Sequence, residues 1–425
     1  MSKEKTTQIK EALKKSGKVT IRGWIYEVRG LSKISFIILR DTTGRIQITC
    51  KSDDKCFKDM NQTRESVLEI TGTLKPSKQA PGGKEIIPTK ITVLAKAEQP
   101  LPIDVSDFSK TELPKRLDNR FLDFHREKIQ AIFKIQSTIS TTFRNHFIKK
   151  GFIEFQPPSI ISSASEGGTE LFPAKYFEKP AFLAQSPQLY KQMVACSMEK
   201  AMTITPVWRA EKHNTIRHLN ESRQMDIEMA YADQMTIMKQ LEEVVQDIVA
   251  EVLKQNQKEL ELLELKGKIK VPKAVYLPYE TAIKKVKGIP GEDFTPEQER
   301  KLCSMYPNTI VFTHSWPTKI KPFYIMPENA NENAKLSEGF DALYSGIEIS
   351  SGGQRIHIPE LLEKMLKKKK LNPKNFKYYI DSFKFGAPPH AGWSIGLERF
   401  TQVLLNLNNI REACMFPRDR DRLVP

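Results

Sequence analysis

The chain has 425 residues, 39% of them apolar and 28% charged, which is enough for two or three domains and excludes a mostly disordered polymer. No apolar run approaches a membrane span, and Met1-Ser-Lys-Glu-Lys-Thr-Thr7 has no apolar signal region behind its charges, so a cytoplasmic protein with no membrane partner is expected. A formal charge of +16, from 67 basic and 51 acidic residues, favours a polyanionic partner such as RNA. Cys50, Cys56, Cys196, Cys303 and Cys414 are scattered and no pair has metal-ligand spacing, so they read as reduced thiols without catalytic duty.

From Lys18 to about Leu101 the chain reads as a small all-β unit. Five runs rich in β-branched residues, at 19–28, 35–39, 45–50, 67–74 and 85–87, are separated by turn signals at Asp41-Thr-Thr-Gly44 and Pro81-Gly-Gly83. Five short strands in that length suit an OB-type barrel, a fold that often binds single-stranded nucleic acid on its open face. Residues 104–128 are polar and read as a hinge. Ile132, Ile135, Ile139, Phe143 and Phe147 then recur at helical spacing until Gly151 stops the helix. Two adjacent glycines in Glu166-Gly-Gly168 permit a loop that closes over a ligand.

A second amphipathic helix is marked by Leu241, Val244, Val245, Ile248, Val252 and Leu253. Residues 266–335 have irregular composition and read as an insertion between sheet strands, with strand-like runs following at 340–343, 346–349 and 355–358. Alternating strands and helices over residues 129–425 give an α+β domain. Near the end, Gly392-Trp-Ser-Ile-Gly-Leu-Glu-Arg399 reads as a glycine-rich turn opening a helix whose apolar stripe is Phe400, Val403, Leu404 and Leu407. Small residues let a backbone approach a ligand closely, and an arginine there suits a polyphosphate through its planar fork of donors.

Three stretches carry a resemblance: Gly151-Phe-Ile-Glu-Phe-Gln-Pro-Pro158, Pro206-Val-Trp-Arg-Ala-Glu211 and the Gly392–Arg399 turn. In order and style they resemble motifs 1, 2 and 3 of class II aminoacyl-tRNA synthetases, and Phe416-Pro-Arg-Asp-Arg-Asp-Arg-Leu-Val-Pro425 is similar to the end of an archaeal or eukaryotic-type aspartyl enzyme. The resemblance implies residues 1–103 as an OB-fold anticodon-binding domain and 129–425 as a catalytic domain on an antiparallel sheet flanked by helices. It also implies a homodimer through motif 1, with Pro158 as the signature proline. The expected activity is that of an aspartate–tRNA ligase, which makes aspartyl-adenylate from L-aspartate and ATP and transfers aspartate to tRNA. An asparaginyl-tRNA synthetase is the alternative on the same scaffold, and a non-catalytic RNA-binding paralogue is the rival of another class.

The same resemblance assigns roles. Arg209, Glu348 and Arg399 are the expected catalytic residues, and ATP is held by Arg209, Glu211, His218, Glu348, Gly396 and Arg399. Activation needs cations across the phosphates and a bound divalent metal but no covalent nucleophile. Magnesium falls to Glu348 and Ser351, with Asp341 in support, because hard oxygen ligands suit it. Aspartate falls to Glu170, Ser186, Gln188, Lys191, Arg209, Asp226, Ser351 and Arg355. Arg355 and Lys191 are the cations for its side-chain carboxylate, an arrangement that rejects asparagine if both face one pocket. Anticodon contacts are expected from Phe36 by stacking and from Arg29 and Glu85 by polar contact. Tyr26 and Pro81 stand where strict relatives have tryptophan and lysine, and proline there resembles relatives that charge both tRNA(Asp) and tRNA(Asn). Ser394 departs from the usual glycine of motif 3, and Trp208 from the usual phenylalanine of motif 2.

Overall fold

The computed structural model describes residues 5–106, 110–162 and 170–425, and the chain divides into units Met1–Thr111 and Glu112–Pro425. In the first unit, β1 (Gly17–Leu31), β2 (Ile34–Arg40), β3 (Arg45–Lys51), β4 (Val67–Pro76) and β5 (Lys84–Ala95) close a barrel in the order β1-β2-β3-β5-β4. One strand serves two neighbours: residues 17–24 of β1 pair with β4, and residues 24–31 pair with β2. A bulge between Ile25 and Glu27 follows the hand-over, and bulges are how a strand turns a barrel corner. Just before it, a Cβ on Gly23 would lie 2.4 Å from the Arg40 carbonyl oxygen, so the corner tolerates only glycine. The inward faces supply Ile21, Ile25, Ile37, Leu39, Ile46, Ile48, Leu68 and Ile70 as the core.

The second unit is built on an eight-stranded sheet. Its strands are β6 (Ile153–Glu154), β10 (Lys200–Trp208), β11 (Glu221–Ala230), β12 (Lys273–Pro278), β13 (Thr309–Pro317), β14 (Leu336–Tyr344), β15 (Ile347–Gln354) and β16 (His390–Gly396). The order is β12-β13-β14-β15-β16-β11-β10-β6. The six strands from β13 to β10 are antiparallel, as the resemblance implied, but β12 and β6 add a parallel partner at each edge, so the sheet is mixed. A smaller sheet of β7 (Ile160–Ile161), β8 (Pro173–Tyr176) and β9 (Lys179–Leu183) lies apart from it in order β7-β9-β8.

Both long amphipathic helices form, at Glu127–Lys149 and Gln234–Gln255, and pack on one face of the large sheet. Ile135, Phe143, Phe147, Val244 and Ile248 meet Met225, Ile227, Trp393 and Ile395 there. Because side chains alternate along a strand, the same β11 and β16 turn Gln224, Asp226, Ser394 and Gly396 to the opposite face, where a cavity lies.

Four expectations need correction. Residues 104–128 are not a simple hinge: helices Leu113–Asp118 and Arg120–Asp123 belong to the second unit. The polar composition there is a buried network, with Asp123 held by Arg116 at 2.9 Å, Arg120 at 2.6 Å and Arg126 at 3.5 Å. The stretch 266–335 is no irregular insertion, since β12 and β13 extend the main sheet and Tyr279, Ile283, Leu302 and Trp316 give it a core of its own. The glycine-rich turn is the strand β16, and its helix is short, Leu397–Leu404, leaving Leu407 beyond its end. No strand forms at 355–358, where Arg355 makes a single bridge with Ile325.

Candidate active site

On the open face of the large sheet is a cavity of about 360 Å³. Twelve of the expected residues meet on its wall: Ser186, Gln188, Lys191, Arg209, Glu211, His218, Asp226, Glu348, Ser351, Arg355, Gly396 and Arg399. Asp341 and Glu170 do not. Glu170 is exposed, 3.4 Å from Lys212, and the closing loop expected at Glu166-Gly-Gly168 lies outside the described residues.

One group of charges is set deep in the sheet. Lys191 Nζ lies 2.7 Å from Asp226 Oδ1 and 3.5 Å from Glu228 Oε2, and donates to the Trp393 carbonyl at 3.1 Å. Arg355 donates through Nε and Nη2 to the two oxygens of Glu228, at 2.9 and 3.3 Å. Glu228 thus takes one edge of the guanidinium and leaves the Nη1–Nη2 end as a two-donor fork for a ligand. Burial works against the Arg355 charge, yet Glu228 outweighs it and holds the group above its usual value. Burial pushes the Asp226 carboxyl up, against the pull of Lys191. Ser394 donates to Asp226 Oδ2 at 3.2 Å, so the residue that departs from the motif 3 glycine serves this carboxylate.

The second group surrounds Glu348. Burial first, then the Asp341 charge, pushes its carboxyl up to about 7, while Arg399 and Lys321 draw it down. Arg399 Nη1 donates to the Glu348 carbonyl at 3.2 Å. Lys321 grips both oxygens of Asp341 at 2.6 Å, so Asp341 acts on the cavity through its charge and not as a wall ligand. His218 Nδ1 is 2.6 Å from Thr215 Oγ1, and burial lowers its imidazole. Glu348 and Ser351 offer hard oxygens beside a carboxyl that burial leaves short of positive charge, and this fits magnesium. Among the described residues no three His, Cys, Asp or Glu side chains gather as an all-protein cage, which also suits a metal that keeps waters and phosphate oxygens.

The loop between β10 and β11 is secured from two sides. Asn220 Nδ2 donates to the carbonyls of Arg209 and Glu211 at 2.7 and 2.9 Å. The C-terminal stretch pairs Glu221 with Arg418, and Arg411 donates to the Thr215 carbonyl at 3.0 Å.

On the barrel, Ile34, Phe36 and Ile38 alternate outward along β2, while Arg40 at its end is buried against Glu65. Arg29 stands opposite Phe36 and pairs with Glu27 at 2.8 Å. Glu85 accepts from Thr49 Oγ1 at 2.6 Å and Gln47 Nε2 at 2.9 Å, so it is an anchored carboxylate. Tyr26 lies beneath Arg45, whose guanidinium carbon is 3.8 Å from the ring centroid, and Pro81 opens the exposed turn Pro81–Gly83.

Two family models match. Residues 112–420 match the class II tRNA synthetases for D, K and N, and residues 19–94 match the OB-fold nucleic acid binding domain. The chain is a class II aminoacyl-tRNA synthetase with an OB-fold domain. It is 45% identical over 417 residues to the aspartate–tRNA(Asp/Asn) ligase of Methanocaldococcus jannaschii, covering 96% of this chain and 94% of that one. It is 41% identical to the aspartate–tRNA(Asp) ligase of Thermoplasma acidophilum, with 96% of each covered. The asparaginyl-tRNA synthetase of Pyrococcus horikoshii, solved with asparaginyl-adenylate, superimposes with a TM-score of 0.91 at 30% identity, over 99% of this chain and all of the other.

Sequence reasoning missed four wall or supporting residues of the synthetase: Arg217, Glu228, Glu299 and Lys321. Glu228 had a signal, since it follows Asp226 by two on the same strand face. Glu299 and Lys321 had none, because both lie in the stretch taken for an insertion.

Proposed function

We propose that this synthetase is an aspartate–tRNA ligase that joins L-aspartate to tRNA(Asp) and also to tRNA(Asn). The observation that carries the amino-acid choice is Glu228 holding Arg355 and Lys191 on one cavity with Arg209, Glu348 and Arg399. A β-carboxylate meets the free fork of Arg355 and the Lys191 ammonium, whereas an amide would bring donors against donors in a dry site. Asp226, Ser186 and Gln188 take the amino group and backbone of the substrate. Arg209 steadies the α-carboxylate against the α-phosphate of ATP, one carboxylate oxygen attacks that phosphorus, and pyrophosphate leaves. Arg399 and His218 face the leaving phosphates, and Glu211 holds the adenine side. Magnesium, held by Glu348 and Ser351, would supply charge neutralisation across the phosphates. The terminal hydroxyl of tRNA then attacks the aspartyl carbonyl, and AMP departs.

The barrel face of Phe36, Arg29 and Glu85 is the anticodon platform, with Tyr26 at one end and Pro81 in the adjoining turn. Proline offers neither charge nor N–H to a base edge, which supports relaxed tRNA choice. The M. jannaschii relative is named for both tRNAs and the T. acidophilum relative for one. A homodimer through motif 1 would cover Ile148, Ile153 and Ile160, which are 54%, 49% and 48% exposed. A cytosolic setting fits the five free thiols.

ATP–pyrophosphate exchange should proceed with aspartate and not with asparagine; the reverse pattern would make the chain an asparaginyl enzyme, and no exchange would leave an RNA-binding paralogue. Both tRNA transcripts should accept aspartate. A preference above about a hundredfold for tRNA(Asp), some 2.7 kcal/mol, would show strict choice instead. Sedimentation at micromolar concentration should give a dimer.

A further inference from the structure

The Pro296–Ser304 helix lies in the stretch whose composition suggested an insertion, and no step above uses it. A capping box between Thr295 and Gln298 fixes its start, so Glu299 follows on a defined first turn. The helix is seated against the turn between β14 and β15. A Cβ on Gly346, at φ +84, would lie 2.9 Å from Arg300 Cγ and 3.2 Å from its Cα, so the turn approaches as closely as glycine permits. That turn leads directly into Ile347 and Glu348.

This seating brings Glu299 Oε2 to 3.6 Å from Arg217 Nη1. Arg217 lines the cavity; Glu299 stands behind it. Burial pushes the Glu299 carboxyl up to about 7, while Arg217 and Arg399 draw it down. The loop that carries Arg217 has its backbone tied at Thr215 and Ile216, by Arg411 and by the Ile410 N–H. Backbone ties leave a long side chain free to turn, and fixing such a chain costs rotamer entropy.

We propose that Glu299 is a positioning residue that holds the Arg217 guanidinium against the cavity wall, beside Arg399, to receive the β- and γ-phosphates of ATP. One Arg217 donor faces Glu299 and the others remain for phosphate oxygens. The segment read as an insertion therefore completes the ATP site from behind. The inference rests on the ligase reading for the identity of the phosphate ligand.

The test is ATP–pyrophosphate exchange with the full-length enzyme, with KM read separately for ATP and for aspartate. Glu299→Ala should raise KM for ATP about tenfold, the loss expected of one charge-assisted contact, with KM for aspartate within about twofold. Glu299→Gln, which keeps the shape and an acceptor, should fall between parent and alanine, and it decides the matter if the alanine variant does not fold. In an Arg217→Ala background, Glu299→Ala should add nothing. A parent-like KM for ATP in Glu299→Gln, or losses that multiply in the double variant, would overturn the assignment. If the parent exchanged asparagine and not aspartate, the substrate reading would fall while these ATP constants could still be measured.

Discussion

Glu398 opens the short helix after β16, is 4% exposed, and accepts the Arg223 backbone N–H at 2.9 Å. Burial pushes its carboxyl up to about 7, with the Arg223 N–H pulling the other way. Its unfolded value is near 4.5. A carboxyl raised on folding binds its proton more tightly in the native state, so the stability it contributes is full below about pH 4.5 and lost as pH rises towards 7. Arg223 and Glu221 are the charges that act on it. Glu398→Gln removes that dependence. The melting temperature of the glutamine variant relative to the parent should therefore climb between pH 5 and pH 8, by the equivalent of about 3 kcal/mol at most. A constant difference across that range would mean that Glu398 ionises freely in the fold. Glu348 shares the same physics, but there a bound cation would offset the burial.

At the scale of elements, β11, β15 and β16 pack so closely that glycine becomes a spacing device. A Cβ on Gly392 would lie 2.1 Å from Glu228 Oε2 and 2.3 Å from the Ile227 carbonyl oxygen. A Cβ on Gly352 would likewise lie 2.5 Å from the Gly392 carbonyl oxygen. These glycines therefore keep the strands at the distance that lets Glu228 reach Arg355 and Lys191; they do not form a loop around the nucleotide. Gly392→Ala should displace Glu228, cost about 2–4 kcal/mol of stability, and raise KM for aspartate more than KM for ATP. An alanine variant that melts with the parent and keeps its aspartate constant would show that the strands separate without cost. The glycine-rich composition was plain in the sequence, but its strand role was not, because small residues suit a turn and a tight sheet equally.

At the scale of the molecule, each unit has its own apolar core. That of the barrel is drawn from residues 9–86, and those of the larger unit from residues beyond 112. The cavity lies wholly in the larger unit. Residues 112–425 expressed alone should keep aspartate-dependent exchange while losing about a hundredfold or more in tRNA charging, since stacking and charge contacts on the barrel are worth about 1–3 kcal/mol per base. Charging at the full-length rate would show that tRNA is read by the catalytic unit alone.

By itself the sequence determined the barrel, the two long helices and twelve of the residues on the cavity wall, because period-2 and helical spacing and short motifs are local signals. Lys191, Asp226, Arg355 and Arg399 could all be named from the chain, yet their meeting on one cavity could not. Only the tertiary structure decided which charges are paired. It assigned Asp341 to Lys321, made Glu228 the partner of both cations, and turned Arg116, Asp123 and Arg120 from a hinge into a buried network. It also turned the apparent insertion into two sheet strands and two α-helices, the second bearing Glu299. The physical reason is range: apolar patterning is written within a few residues, whereas an ion pair such as Arg355–Glu228 joins positions 127 residues apart and leaves no trace in the spacing of either.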